Sequence, residues 1–297
     1  MPVKLDWLGV STFRVIVDDM VIFLDAYINR VPSAPSVGLK VEDVRAADYV
    51  LVGHSHFDHL WGAETIARNT GAKIIGSHET VRLMELEEVS GSQLMAVSGG
   101  ETIKLSDSVS VKVYPSQHSC IWSSSGSSKE ACFGDQGVMH HERQMRLQER
   151  ANQRASSTDH GMADVMRHRS ACMQFPRAEG GAYAYLIETP DGSILWKDTS
   201  GHWTGILRDI RPDVGILAAS GRGNIDGEPI QGSLAQFVSR EVELLKPGKV
   251  VLCHHDDWCP PVTSPTDVGP IRQELERHHP RVSLIEMGYL EGYPILG

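Results

Sequence analysis

The sequence predicts an α/β (α+β) fold, and three observations predict it. A short apolar run, Tyr49-Val50-Leu51-Val52-Gly53, leads through a helix-spaced stretch to a second apolar run, Lys73-Ile74-Ile75. Strand–helix–strand order of this kind builds a sheet with a helix layer on its face. Residues 101–114 instead alternate with period two around Asp107-Ser108, and residues 182–187 and 193–196 flank Pro190-Asp191-Gly192. Both patterns read as hairpins with a buried face. Finally, side chains able to bind metals recur at predicted strand ends: Asp25, the run His54-Ser55-His56-Phe57-Asp58-His59, His118, Asp198, and His254-His255.

Taken in order, the chain begins with strands at 13–17 and 21–24 around an Asp18-Asp19 turn, then a Pro- and Ser-rich loop at 32–38. The strand at 49–53 precedes the histidine-rich run. Residues 60–69 have helical spacing and stop at Gly71, a residue suited to a helix C-terminus. A strand at 73–75, a helix at 79–88 and the 101–114 hairpin follow. Residues 119–181 differ in character. Positions 123–128 are Ser-rich, and 140–154 are polar with weak helical spacing, so the segment reads as an insertion or lid: a flexible entrance followed by helical pieces. Order resumes with the 182–196 hairpin, a buried strand at 214–217, an amphipathic helix at 234–245 closed by Pro247-Gly248, a strand at 250–253, a helix at 268–278 and a last strand at 282–285.

Composition narrows the function classes. The chain has 297 residues, 41% hydrophobic and 22% charged, ordinary values for a soluble globular protein. A formal net charge of −10 argues against a partner held by phosphate electrostatics, so no nucleic-acid partner is expected. Residues 1–7 lack a basic stretch followed by an apolar one, and no stretch approaches transmembrane length, so no membrane partner is expected. The cysteines (Cys120, Cys132, Cys172, Cys253, Cys259) are odd in number and lack CxxC spacing. That argues against a disulfide framework and for a cytoplasmic location.

The motif H-x-H-x-D-H, complete at 54–59, resembles that of the metallo-β-lactamase superfamily of metal-dependent hydrolases. The later landmarks keep the family's order: His118 after a strand, Asp198 closing a hairpin, His254 after a late strand. The N-terminal LGVSTFRVIV…VIFLDAY pattern looks most like the branch of L-ascorbate-6-phosphate lactonase. The resemblance implies a single domain over 1–297, a four-layer αββα sandwich interrupted by the 119–181 insertion. It also implies two divalent ions: His54, His56 and His118 on one, Asp58, His59 and His254 on the other, Asp198 bridging. Asp58 would be the catalytic carboxylate and Asp25 would support the ligands. Nitrogen and carboxylate donors suit zinc, with manganese or iron as alternatives.

The implied chemistry is hydrolysis of a small ester-type substrate, a lactone first, by a hydroxide bridging two ions about 3.5–4 Å apart. The alternatives are a phosphodiesterase acting on a small or lipid phosphodiester, an iron-dependent oxidoreductase and a non-catalytic metal-binding relative. The partner is then a small-molecule substrate, and a homo-oligomer fits the habit of such relatives. His255 stands as the substitute for His254, Asp257 and Asp256 as supports for it, and His202 as a substrate contact. His140, His141, His160 and His168 read as surface residues, and Met162, Met166 and Met173 as packing within the insertion.

Overall fold

The computed structural model describes residues 2–120, 139, 141, 142, 145 and 160–297. Strands β1 (Val3–Trp7), β2 (Phe13–Val17), β3 (Met20–Leu24), β4 (Tyr49–Leu51), β5 (Lys73–Gly76) and β6 (Leu94–Ala96) form one sheet. A second contains β7 (Thr102–Lys104), β8 (Ser110–Pro115), β9 (Tyr183–Thr189), β10 (Gly192–Lys197), β12 (Val214–Ala218), β15 (Lys249–Cys253) and β16 (Ser283–Ile285). The chain's last strand, β17 (Tyr293–Leu296), returns to the first sheet and pairs antiparallel with β1. A small sheet joins β11 (Gly201–His202), β13 (Asn224–Ile225) and β14 (Glu228–Pro229).

Alternation along the strands makes the layers. Ile22 and Leu24 point between the two large sheets, as do Ile194, Trp196 and Val251 from the opposite side. Their neighbours Phe23, Val50 and Ile74 face outward under helices Ala63–Thr70 and His78–Leu86. On the other flank, Leu195, Leu217 and Leu252 are covered by Phe237, Val238 and Val242 of helix Leu234–Leu245 and by Ile271 and Leu275 of helix Gly269–His278. The result is an αββα sandwich. Strands buried on both faces read as continuous apolar runs, which is why β4, β12 and β15 were legible.

Several expectations are corrected. The helix expected at 60–69 is two pieces, Phe57–Leu60 and Ala63–Thr70, because Gly62 turns the chain with φ +107°. A Cβ there would lie 2.5 Å from the Ala26 carbonyl oxygen, so the turn needs glycine. The strand near 282–285 is not the last; β17 follows it. Cys120 is disulfide-bonded, against the expectation from cysteine spacing, while Cys172, Cys253 and Cys259 are free. Within the insertion, helix His160–Cys172 is one of the helical pieces expected there, and it packs Val165 and Cys172 inward. The entrance expected at 123–128 and most of the stretch at 140–154, His140 included, lie outside the described residues. No helix among the described residues is long and apolar enough to cross a membrane.

Candidate metal centre

Strand direction brings the chemistry to one edge. β3 runs parallel to β4, so Asp25 and His54 leave the same end of the first sheet. β10, β12 and β15 are mutually parallel, and β8 runs with them because both β8 and β10 are antiparallel to β9. His118, Asp198 and His254 therefore leave one end of the second sheet. Open sheets gather sites at the carboxyl ends of strands in this way.

Three groups of donor atoms form there: His54, His56 and His118; His54, His59 and Asp198; Asp58, His59 and His254. His54 joins the first two groups and His59 the last two, so the seven residues form one continuous cluster. His54 Nδ1 lies 2.5 Å from Asp198 Oδ2, and its Nε2 lies 3.0 Å from His56 Nδ1. The His118 ring sits 4.7 Å from that of His54 and 4.9 Å from that of His56. Asp58 Oδ2 stands 3.6 Å from both His59 Nε2 and His254 Nε2. Gly53 is required beside the cluster: a Cβ on it would fall 2.0 Å from Asp198 Oδ2.

Supporting groups fix the rings. The Nδ1 of His118 lies 2.8 Å from the Ser119 carbonyl oxygen, the hydrogen bond that leaves Nε2 as the free lone-pair nitrogen. Asp25 Oδ2 lies 2.6 Å from His59 Nδ1 and accepts from Ser11 Oγ at 2.6 Å, while its Oδ1 accepts from the Gly53 amide at 3.0 Å. The structure places Asp25 against His59, a partner that the sequence did not specify. Ser11 was missed, because a lone serine between two strands carries no spacing signal.

The donor set fits a cation. Burial, reinforced by neighbouring rings, holds His54 and His56 well below the usual imidazole range. Burial likewise takes His59 down to about 4 against the pull of Asp58 and Asp198. These three rings are therefore neutral at pH 7 and offer lone pairs. Burial would raise Asp58, but His59 and His254 outweigh it and keep its carboxyl well below the ordinary range. Burial raises Asp198. Asp198 Oδ1 and His254 Nδ1 are buried without a hydrogen-bond partner, an arrangement costly unless a ligand completes it.

The remaining expectations divide. His255 is turned from the cluster and stacks on Trp7, ring centroids 4.6 Å apart. Asp257 accepts from Thr263 Oγ1 at 3.3 Å and joins none of the donor groups. His202, expected as a substrate contact, lies in the interior. It is fully buried, 2.9 Å from Glu241 Oε1, and Glu241 also pairs with buried Lys197 at 2.8 Å. Nor is His168 a bare surface residue: its Nε2 lies 2.8 Å from the Tyr27 hydroxyl. Tyr27, Phe57 and Trp258 make an aromatic flank, and Trp258 meets the His254 ring edge-on at 5.6 Å.

This architecture recurs in solved structures. Igni18 from Ignicoccus hospitalis, described as a novel metallo hydrolase, superposes with a TM-score of 0.61 over 97% of this chain and 96% of that one, at 19% identity. The metallo-β-lactamase fold protein YhfI from Bacillus subtilis superposes with a TM-score of 0.54 over 98% of both chains, at 11% identity. The chain has the metallo-β-lactamase fold. Residues 21–134 match the family described as the beta-lactamase superfamily domain. Over 115 residues, 39% of the chain, it is 31% identical to a UPF0173 metal-dependent hydrolase of Pyrobaculum neutrophilum. It spans about half the length of the curated relatives it matches, 50% in that case. The matched region of the metallo-β-lactamase fold thus holds Asp25, the 54–59 run and His118, while Asp198 and His254 come from beyond it.

Proposed function

We propose that this protein is a hydrolase that binds two divalent ions, zinc foremost, and cleaves a small ester-type bond, with lactones the first class to examine. The observation that carries the reading is the continuity of the three donor groups, in which Asp198 lies between a three-histidine end and an Asp58–His59–His254 end. Its relatives' description as metal-dependent hydrolases supports the reaction class. The N-terminal resemblance to ascorbate-6-phosphate lactonase supports the lactone, and the net charge of −10 supports a small molecule over a nucleic acid.

In this reading His54, His56 and His118 hold one ion, and Asp58, His59 and His254 the other, with Asp198 shared. When bound, such a pair supplies Lewis acidity, which acidifies water and polarises a substrate oxygen. The chain's own part is orientation and proton handling. Asp58 is ionised at neutral pH, so it can accept a hydrogen bond from the attacking water and take up its proton. Asp25 and Ser11 keep His59 from rotating away. The Trp258 ring, packed beside Phe57, lies edge-on against His254 and bounds that side of the cluster.

The test is a panel of lactones, carboxylic esters and phosphodiesters offered to zinc-loaded protein, with zinc measured. Turnover of a lactone or ester is the expected result. Turnover of phosphodiesters alone would shift the substrate class, and zinc-replete protein idle on the whole panel would defeat the proposal.

A further inference from the structure

Beside the cluster lies a second buried assembly, which holds no residue of the donor groups. Arg30 and Asp256 form a side-chain ion pair, 3% and 7% exposed, so it is shielded from water and salt. Asp256 Oδ2 also accepts from the Tyr289 hydroxyl at 2.8 Å, and the Arg30 guanidinium lies over the Tyr289 ring at 5.0 Å. Asp256 Oδ1 accepts from the Val10 amide at 3.1 Å. The Val10 carbonyl in turn accepts from the His254 amide at 2.6 Å. Val10 and His254 both have left-handed backbones, φ +51° and +60°, which residues bearing a Cβ rarely adopt. Underneath, Gly9 has φ +87°, and a Cβ on it would stand 2.9 Å from the guanidinium carbon of Arg30 and 3.1 Å from Asp256 Oδ2.

We propose that Asp256, pinned by Arg30 and Tyr289, is the positioning residue that sets His254. The physical reason is the strain at two facing positions. A left-handed His254 aims its ring at Asp58 instead of continuing the line of β15, and something must hold it there. Among the described residues its amide donates to the Val10 carbonyl, and Val10 is itself left-handed and held through its own amide by Asp256. A planar guanidinium, fixed between the glycine and the tyrosine ring, holds that carboxylate by more than a point charge. The sequence neighbours separate accordingly: His255 packs on Trp7, Asp257 holds its own loop, and Asp256 works through Val10.

The inference rests on the dinuclear reading only for its metal readout. The experiment uses the full chain carrying Arg30→Met, Arg30→Lys or Gly9→Ala, and compares two measurements. In metal-free protein, the amides of Val10 and His254 should exchange hydrogen at least tenfold faster in Arg30→Met and Gly9→Ala, while amides in the middle of β15 keep their protection. On titration with zinc, the same variants should bind one equivalent as before and the other at least tenfold more weakly. Arg30→Lys should recover part of both effects. Unchanged exchange at Val10 and His254, or loss of protection spread evenly through β15 together with equal weakening of both zinc equivalents, would overturn the positioning role. A wild-type protein that binds no zinc would count against the hydrolase proposal, while the exchange result would still decide this one.

Discussion

At the scale of the residue, His254 and His255 show how one backbone angle separates chemically identical neighbours. With φ +60° at His254, its ring reaches within 3.6 Å of Asp58 while the next ring lies flat on Trp7. Removing each side chain should therefore have unlike effects. His254→Ala is expected to lose about one equivalent of bound zinc, measured by metal analysis after dialysis, with any hydrolytic activity falling by a factor of at least about 100. His255→Ala should keep its zinc and lose only packing against Trp7, lowering the melting temperature. Equal zinc content in the two variants would contradict the assignment. Asp58 was legible from the 54–59 spacing. Ser11 was not, and Asp256 was named only as a neighbour of His254, because the contacts of both with Asp25, Val10 and Arg30 depend on a fold that joins positions distant in sequence.

At the scale of the element, two segments owe their shape to single features. Gly62 separates the short helix bearing Asp58 and His59 from the helix that follows, in a conformation and a space that exclude a side chain. Gly62→Ala should destabilise the metal-free protein by about 1–3 kcal/mol in urea unfolding. A variant as stable as wild type would show that the turn relaxes freely. Behind the Asp198 loop, Lys197, Glu241 and His202 are all fully buried and share one carboxylate oxygen, Glu241 Oε1. Burial would raise the Glu241 carboxyl, but Lys197 and His202 overcome it and leave it below its ordinary range, so the carboxylate is ionised at neutral pH. Glu241→Ala strands a buried ammonium next to Asp198. It should cost about 3–5 kcal/mol, read from the shift in denaturant midpoint. A shift below about 1 kcal/mol would mean that Lys197 finds other solvation.

At the scale of the whole molecule, the cluster is an acid liability. Burial takes His59 from the ordinary imidazole value of 6.5 down to about 4 in the folded chain, and His54 and His56 are shifted the same way. Below pH 6.5 the unfolded chain takes up protons that the folded one refuses. The share of stability carried by these three rings is therefore complete above about pH 6.5 and is lost as pH falls through 4, while Asp25, Asp198 and His254, held above their ordinary ranges, act in the opposite direction. His59 alone accounts for a loss on the order of 3 kcal/mol. Followed by chemical denaturation from pH 7.5 to 4.5, metal-free wild type should lose stability relative to His59→Gln below pH 6.5. Wild-type and His59→Gln curves that run parallel over this interval would contradict a buried, neutral His59. Zinc should protect against acid down to the point at which protons compete for the same nitrogens.

The sequence by itself determined the layered α/β character, most strands, and the donors of the 54–59 run, because apolar period and ligand spacing are local properties written within a few residues. It also pointed to His118, Asp198 and His254 through their places after strands. Tertiary structure alone decided what required distance in the chain to be closed. It paired β17 with β1, turned His202 into the core and His255 onto Trp7, and brought Ser11 behind His59 and Arg30 onto Asp256. It also converted seven separate donors into one cluster, because parallel strands deliver their carboxyl ends to a common edge only once both sheets have assembled.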